Sequence, residues 1–437
     1  LHGLVSEISV LRERAVVTLV GDGMKHNRGI AARFLTANSA AGVNVEVIAQ
    51  GSTECAISLV VDRRDAVAAT RASHTAFFGH DAHIDVVLLG CGNVGAALLA
   101  QFERMRETLA AKDQQLKVRA IANSRRLLVA RDEIDTAEWR AALERDGQPY
   151  AQEDIIAIRE QLGLLNPTIV DCTTDAALAG EYVTFLANGF NVVCANKKAN
   201  TASMDYYRRL RETASRNFRK FLYETNVGAG LPVIDTLHGL MRSGDRLQVF
   251  EGILSGSLSM IFGLLEDGIP FSDAVARAMD LGYTEPDPRD DLSGMDVARK
   301  LLIIARETGL EMELEDIAVT PVIEPGFAAD AEIAALPERM KVLDEAFERR
   351  IAEATAGGAV LRYVGRISDG RCSVSIEAVP SDQPLGTIRD GENALVMHTD
   401  YYQPLPLVLR GYGAGAEVTA AGVFADVLRT AWRPLDF

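Results

Sequence analysis

The segment LGYTEPDPRDDLSGMDVARKLLIIARETG, residues 281–309, gathers Glu285, Asp287, Asp290, Asp291 and Asp296 ahead of Lys300, which stands in a stretch rich in Leu and Ile. Two accounts fit this pattern. In the first, Ser293 followed three residues later by Asp296 is a capping box, and the acid serves only to start a helix. In the second, Lys300 projects from a mainly apolar helix face, with Asp296 at i−4, Val297 at i−3, and Ile303 and Ile304 at i+3 and i+4. Desolvation disfavours an ammonium charge and a carboxylate favours it, so a lysine balanced between them is usable as a proton acceptor. An i,i+4 ion pair with a snorkelling lysine is the plainer version of the same geometry. Pro286 and Pro288 stiffen the preceding loop, which would fix Glu285 and Asp296 around one pocket, and two carboxylates suit an ammonium group.

Two further constellations point to a nucleotide. Gly90, Gly92 and Gly95, with Asn93 and Val94 between them, have the G-x-G-x-x-G spacing: one glycine for a tight turn, one for backbone approach to a pyrophosphate, one for close helix–strand packing. A glycine-rich turn without a ligand is the alternative. Where a second strand should end, IANSRR places Asn123, Ser124, Arg125 and Arg126 and no acid. An acid there binds a ribose diol and an arginine accommodates a 2′-phosphate, so the pattern favours NADP over NAD. Lys197 and Lys198, in NVVCANKKAN, stand at the C-terminal end of a strand, the edge at which doubly wound folds bind ligands; in isolation they read as solvated.

The elements that must position these residues alternate along the chain. Residues 15–20, 43–49 and 55–61 read as strands, and 27–41 and 65–78 as helices, a β-α-β-β-α order that makes a ferredoxin-like half-sandwich. Residues 4–10 read as a strand lacking the element that should precede it, which suggests a piece of a longer protein. Residues 79–83 look like a linker, and His80 and His83 lack a third metal ligand. From residue 84 a strand, glycine turn and helix open a second unit, with further strands at 118–123, 168–172, 191–195 and 220–224, implying a parallel, doubly wound α/β sheet. After residue 230, strand-like 247–254, AVLRYVGRI and CSVSIEAV suggest a mixed or antiparallel sheet with inserted helices. The glycine loop near Gly415 opens a last helix that would return to the nucleotide unit. The expected division is 1–80, 84–231 with 411–437 returning to it, and 232–410.

Composition narrows the function. At 437 residues, about three domains are expected. A formal net charge of −16 and a pI near 5.0 argue against nucleic acid or an anionic membrane as partner. Cys55, Cys91, Cys172, Cys194 and Cys372 are scattered without a CxxC pair, which argues against disulfides or a zinc site and fits a reducing cytoplasm. The longest apolar run, residues 86–100, is shorter than the roughly 20 residues of a membrane helix.

VVLLGCGNVG, VDCTTD, NVVCANKKAN, ETNVGAGLPV, GILSGSLSMIFG, GYTEPDPRDDLSGMDVARK and the segment 401–429 occur in this order and resemble the homoserine dehydrogenase family from about residue 85 onward. Residues 1–80 resemble the second ACT module of the bifunctional aspartokinase–homoserine dehydrogenases of the threonine-sensitive type; the kinase part has no counterpart here. The resemblance implies reversible, NAD(P)-dependent reduction of L-aspartate 4-semialdehyde to L-homoserine. It also implies roles. Lys300 corresponds to the general acid/base and Lys197 to a second functional lysine near nicotinamide and substrate. Glu285 and Asp296 would bind the substrate amino group, while Thr173, Gly282 and Gly415 would border the cofactor. Glu224, Val227, Ala229 and Leu231 would hold a monovalent cation such as Na+ or K+. Further expectations are a homo-oligomer, at least a dimer, and a threonine effector with Gln50 as a ligand. Against this stand a reductase of another amino-acid semialdehyde and a non-catalytic amino-acid sensor; the joint presence of Lys300, Glu285, Asp296 and Lys197 disfavours the sensor.

Overall fold

The computed structural model describes residues 10–51, 55–78, 82–164 and 166–431. The expected strand at 4–10, except Val10, and His80 of the linker lie outside these residues.

In the N-terminal unit, strands Arg14–Val20, Val45–Gln50 and Ala56–Asp62 form an antiparallel sheet with Ala56–Asp62 in the middle. Helices Ile30–Ala40 and Ala66–Phe78 cover one face, where Phe34, Leu59, Val61, Ala69 and Ala76 form its core. The element order is the expected one. The first helix starts later than expected because Gly29 adopts a left-handed conformation, φ 83°, at its N-cap, and a short 3-10 turn, Asp22–His26, precedes it. Among the described residues nothing covers the opposite sheet face, where Val16, Val20 and Val47 are exposed.

The second unit is the doubly wound sheet. Its order runs Leu127–Val129, Gln114–Ala122, Ala82–Leu89, Pro167–Asp171, Asn191–Cys194, Phe221–Leu222. Every neighbouring pair is parallel except that of Leu127–Val129 with Gln114–Ala122. All residues of Pro167–Asp171 and Asn191–Cys194 are buried, as expected for strands covered on both faces. Strand order reverses between Ala82–Leu89 and Pro167–Asp171, so the crevice for a ligand opens past their C-terminal ends. Two details differ from expectation. The edge strand Leu127–Val129 turns back antiparallel after IANSRR, and residues 224–226 form a 3-10 turn, so the last parallel strand is only Phe221–Leu222.

The third unit carries a six-stranded sheet in the order Ala318–Val319, Arg371–Pro380, Ala359–Ser368, Leu247–Ile253, Glu392–Thr399, Leu407–Tyr412. It is antiparallel apart from Ala318–Val319. Helices Gly256–Glu266, Phe271–Asp280 and Met295–Glu307 pack with it in a core continuous with one face of the nucleotide sheet. The last helix, Ala416–Arg429, returns to the nucleotide unit, where Ala420, Val423, Phe424 and Val427 join Leu98, Leu99 and Phe102 of helix Asn93–Ala110 in one cluster.

Candidate active site

The turn between Ala82–Leu89 and Asn93–Ala110 gives each glycine a distinct task. Gly90 has φ 89°, and a Cβ there would lie 2.6 Å from Thr173 Cγ2. A Cβ on Gly95 would lie 2.1 Å from the Gly90 carbonyl oxygen, so only glycine lets helix and turn touch. Gly92, the N-cap, has open space where a side chain would be, and Asn93 and Val94 begin the helix whose N–H groups face that space. Across the crevice, Asn123 is spent on its own turn: its Oδ1 accepts from the backbone N–H groups of Arg125 and Arg126, each at 2.8 Å. Ser124 and Arg125 are exposed beyond it. Arg126 donates to the carbonyls of Glu144 and Gly147, which leaves Arg125 the freer of the two guanidiniums. Thr173 borders the glycine turn, and Gly282 and Gly415 both have positive φ and open space around them.

The end of Pro167–Asp171 and the turn carrying Lys197 are joined by a buried acid. Asp171 accepts from Thr173 N at 2.7 Å, Tyr182 Oη at 2.5 Å and Asn196 Nδ2 at 3.0 Å. Burial raises its carboxyl above the usual range, against the pull of those donors. Asn196 also donates to the carbonyl of Asp175, so the turns that carry Thr173 and Lys197 move as one piece.

Asp296 is the centre of the chemistry. Its Oδ1 lies 2.7 Å from Lys197 Nζ and its Oδ2 lies 2.9 Å from Lys300 Nζ. Lys300 is buried and also donates to the Leu254 carbonyl at 2.6 Å, at the end of strand Leu247–Ile253. Burial opposes ionisation of Asp296, but the Lys300 and Lys197 ammonium groups outweigh it and hold this carboxyl well below the usual carboxylate range. Burial lowers the pKa of Lys197, with Asp296 opposing and Lys300 reinforcing that shift.

The capping-box expectation fails here. The N-cap of helix Met295–Glu307 is Gly294, at φ 74° and with no side-chain cap bond; Ser293 Oγ donates to the Asp290 carbonyl at 2.6 Å. Asp296 is thereby free of backbone capping and serves the two lysines. Gly294 also admits no side chain, since a Cβ would lie 1.9 Å from Tyr363 Oη.

Glu285 is exposed, and its carboxylate has no partner among the described residues. Its loop is held by a residue that sequence reasoning noticed without assigning: Asp291 accepts from Glu285 N at 2.9 Å and from Ser257 Oγ at 2.6 Å. Burial raises the Asp291 carboxyl, and nearby Asp296 adds to that shift. Among the described residues the Glu285 and Asp296 carboxylates share no direct contact, and Asp291 holds only the Glu285 backbone.

The four residues expected at a cation follow the Phe221–Leu222 strand end, in a run whose Asn226 accepts from Asn200 of the Lys197 turn at 2.9 Å. Glu224 is buried and accepts from Ile234 N at 2.7 Å and Asp235 N at 3.0 Å, capping helix Val233–Arg242 with its carboxylate; burial pushes that carboxyl up to about 7. Val227 and Ala229 are buried, with left-handed backbone at Gly228 and Ala229. The Leu231 carbonyl accepts from Val233 N. Gln50 lies exposed at the end of its strand, distant in the chain from all of these. Among the described residues no three His, Cys, Asp or Glu side chains cluster in a way that would hold a metal ion.

Comparison with known proteins finds relatives over most of the chain. The family profile described as homoserine dehydrogenase matches residues 232–428, that of the homoserine dehydrogenase NAD-binding domain matches 90–224, and that of the ACT domain matches 17–77. The bifunctional aspartokinase/homoserine dehydrogenase of Haemophilus influenzae is 51% identical over 427 residues, 97% of this chain and 52% of that protein. That of Buchnera aphidicola is 42% identical over 429 residues, 98% of this chain and 53% of that protein. The chain therefore spans about half the length of these relatives. A crystal structure of a Candida auris protein of unknown function superposes with a TM-score of 0.74 at 32% identity, covering 80% of this chain and 98% of the other. A hyperthermophilic archaeal homoserine dehydrogenase in complex with NADPH shares the fold, with a TM-score of 0.62 at 24% identity over 81% of this chain and 98% of the other.

Proposed function

Because this chain belongs to the homoserine dehydrogenase family, we propose that it interconverts L-homoserine and L-aspartate 4-semialdehyde with a nicotinamide dinucleotide. The observation that carries this reading is Asp296 bridging Lys197 and Lys300 at the C-terminal edge of a nucleotide-binding sheet. The open space at Gly92, the helix N-terminus behind it and the exposed Ser124 and Arg125 fit a dinucleotide, and Arg125 favours NADP. When bound, the nicotinamide supplies or takes the hydride.

The chain's own residues manage the proton and the substrate. Lys300 gives a proton to the carbonyl oxygen in reduction and takes it from the hydroxyl in oxidation. Asp296 holds that ammonium group in place, and Lys197 shares the same carboxylate from the opposite side. Each Asp296 oxygen already faces a lysine, so a substrate ammonium would share Asp296 with them, whereas Glu285 offers it an open carboxylate. Thr173, Gly282 and Gly415 border the cofactor in this reading. Glu224, Val227, Ala229 and Leu231 stand for the monovalent cation, supported by the left-handed turn at Gly228 and Ala229, which breaks the run out of regular structure.

Three wider assignments complete the reading. The units 1–80, 84–231 with 411–437, and 232–410 act as regulatory, nucleotide-binding and substrate parts. A dimer forms through the third unit, where Tyr401, Leu405 and Tyr412 are exposed beside the edge strand Leu407–Tyr412. Threonine is the effector of the ACT module, near Gln50. Scattered cysteines, with no disulfide among the described residues, suit the cytoplasm. The test is reduction of aspartate 4-semialdehyde with NADPH and with NADH; absence of turnover with both, in folded protein, rejects the assignment.

A further inference from the structure

We propose that Arg306 is a positioning residue for this reaction, holding the turn that carries Lys197 against the helix that carries Lys300 and Asp296. The inference rests on the roles given above to those three residues.

Arg306 lies less than two helical turns beyond Lys300 on helix Met295–Glu307, and its side chain is fully buried. A guanidinium has five N–H donors. Here all five are used. Nη1 donates to the carbonyls of Asn200 at 2.9 Å and Ala202 at 2.7 Å. Nε and Nη2 donate to the Met312 carbonyl at 3.1 and 2.9 Å, and Nη2 donates to Glu313 Oε2 at 2.8 Å. Asn200 and Ala202 belong to the turn that starts at Lys197. Within it, Thr201 donates to the Lys197 carbonyl through both its N–H and its hydroxyl, each at 3.1 Å. The other oxygen of Glu313 accepts from Met204 N at 2.8 Å, where the next helix begins.

The catalytic helix thus grips the Lys197 turn at two points. Asp296 takes the Lys197 side chain at its N-terminal end, and Arg306 takes the Lys197 turn by its backbone at the C-terminal end. A role in cohesion alone would not call for a buried cation, since Leu301, Leu302, Ile303 and Ile304 beside it already fill the core. Burial lowers the pKa of Arg306, and its one carboxylate partner sits at the rim, so the charge is retained at a cost in stability. What the guanidinium adds over an apolar side chain is a fixed, planar set of donors.

Arg306→Lys keeps charge and approximate size but has three donors for five bonds. At temperatures where thermal melts show it fully folded, kcat should fall by roughly 10- to 100-fold, the scale expected of a displacement of about 1 Å at reacting groups. The cofactor KM should hold, and the pH profile of kcat should move because the Lys197–Asp296 spacing changes. Arg362→Lys is the control. It alters another buried arginine, whose partners are Glu266 and the carbonyls of Leu361 and Gly386, and should cost stability without moving kcat or its pH profile. Unchanged kcat in folded Arg306→Lys, or the same loss in Arg362→Lys, overturns the proposal. If Arg306→Lys does not fold, Glu313→Gln takes its place, with a smaller loss of kcat expected and an unchanged kcat and profile fatal. Lys197→Ala and Lys300→Ala are assayed alongside: activity retained in both defeats the functional reading itself, whereas their loss with intact Arg306→Lys defeats only the positioning role.

Discussion

The nucleotide unit meets its two neighbours across seams of opposite character. Toward the substrate unit, charges are paired and buried. Glu307, adjacent to Arg306, is 2.7 Å from Arg211 and 2.6 Å from His238, and accepts from the hydroxyls of Tyr207 and Tyr223 at 3.0 and 2.9 Å. Arg211 also lies over the Tyr207 ring, 3.3 Å from its centroid. Toward the N-terminal unit, arginines reach mainly for carbonyls. Arg159 donates to Ala41 and Asn188, Arg219 to Ala40, and Arg71, from the other side, to Gly163 at 2.7 Å. These carbonyls close helices, where the backbone dipole favours a cation, but such contacts are weaker than a desolvated ion pair. A cleft of about 940 Å³, lined by Arg71, Arg131 and Arg159 among others, runs along this second seam. One seam joins the elements that carry Lys197 and Lys300, and the other holds the N-terminal unit mainly through guanidinium–carbonyl contacts.

The sharpest blow to the first seam is at its chemistry. Lys300→Ala should lower kcat by at least ~10²-fold while cofactor affinity, measured by fluorescence titration, stays near that of the parent; equal losses in both would remove Lys300 from its role. Next is Glu307→Gln, which leaves Arg211 without its carboxylate and should lower unfolding free energy at pH 7 by about 3 kcal/mol. Burial acts against ionisation of Glu307, yet His238, Arg211 and Tyr223 together hold its carboxyl below the usual value. Its stabilisation is therefore complete above the unfolded pKa of about 4.3 and is lost as pH falls through the lower folded value. Denaturant melts of the variant should show a shallower decline below that pH than the parent, and matching acid limbs would contradict the assignment.

Glu285→Gln tests a residue outside both seams. The homoserine KM should rise more than kcat falls, because an ammonium contact is made in ground and transition states alike; a loss confined to kcat would argue against it. The smallest effect belongs to the second seam. Arg71→Gln removes a charged donor from the Gly163 carbonyl and should cost about 1 kcal/mol, with kcat unchanged. A destabilisation as large as that of Glu307→Gln would erase the contrast between the seams.

Much of this architecture is legible locally. The glycine turn, the parallel strands and the β-α-β-β-α unit each declare themselves within a few tens of residues, because periodicity and turn chemistry act over short spans. What fails has a common cause. Ser293 and Asp296 have the spacing of a capping box, yet Asp296 is claimed by Lys197, which lies 99 residues away in the chain. Arg306 reads as one more charge at a helix end, and only folding brings Asn200 and Ala202 to it. Glu224 enters by resemblance as a cation ligand, whereas the demand of helix Val233–Arg242 for an N-terminal carboxylate cannot be seen without knowing where that helix begins.

The return of helix Ala416–Arg429 has a consequence for biogenesis. Phe424 packs edge-on against Phe102 with ring centroids 4.9 Å apart, Asp426 accepts from Glu224 N at 2.9 Å, and the Arg429 carbonyl accepts from Lys220. Gly230 and Gly422 are held so closely to their neighbours that any added Cβ would collide. On the ribosome, the strands and helices of the nucleotide sheet emerge long before this helix, and the whole substrate unit is made in between. Until translation reaches residue 429, the face of helix Asn93–Ala110 that carries Leu98, Leu99 and Phe102 lacks the partner that covers it. The nascent nucleotide unit cannot be finished by itself, and its completion waits on helix Ala416–Arg429.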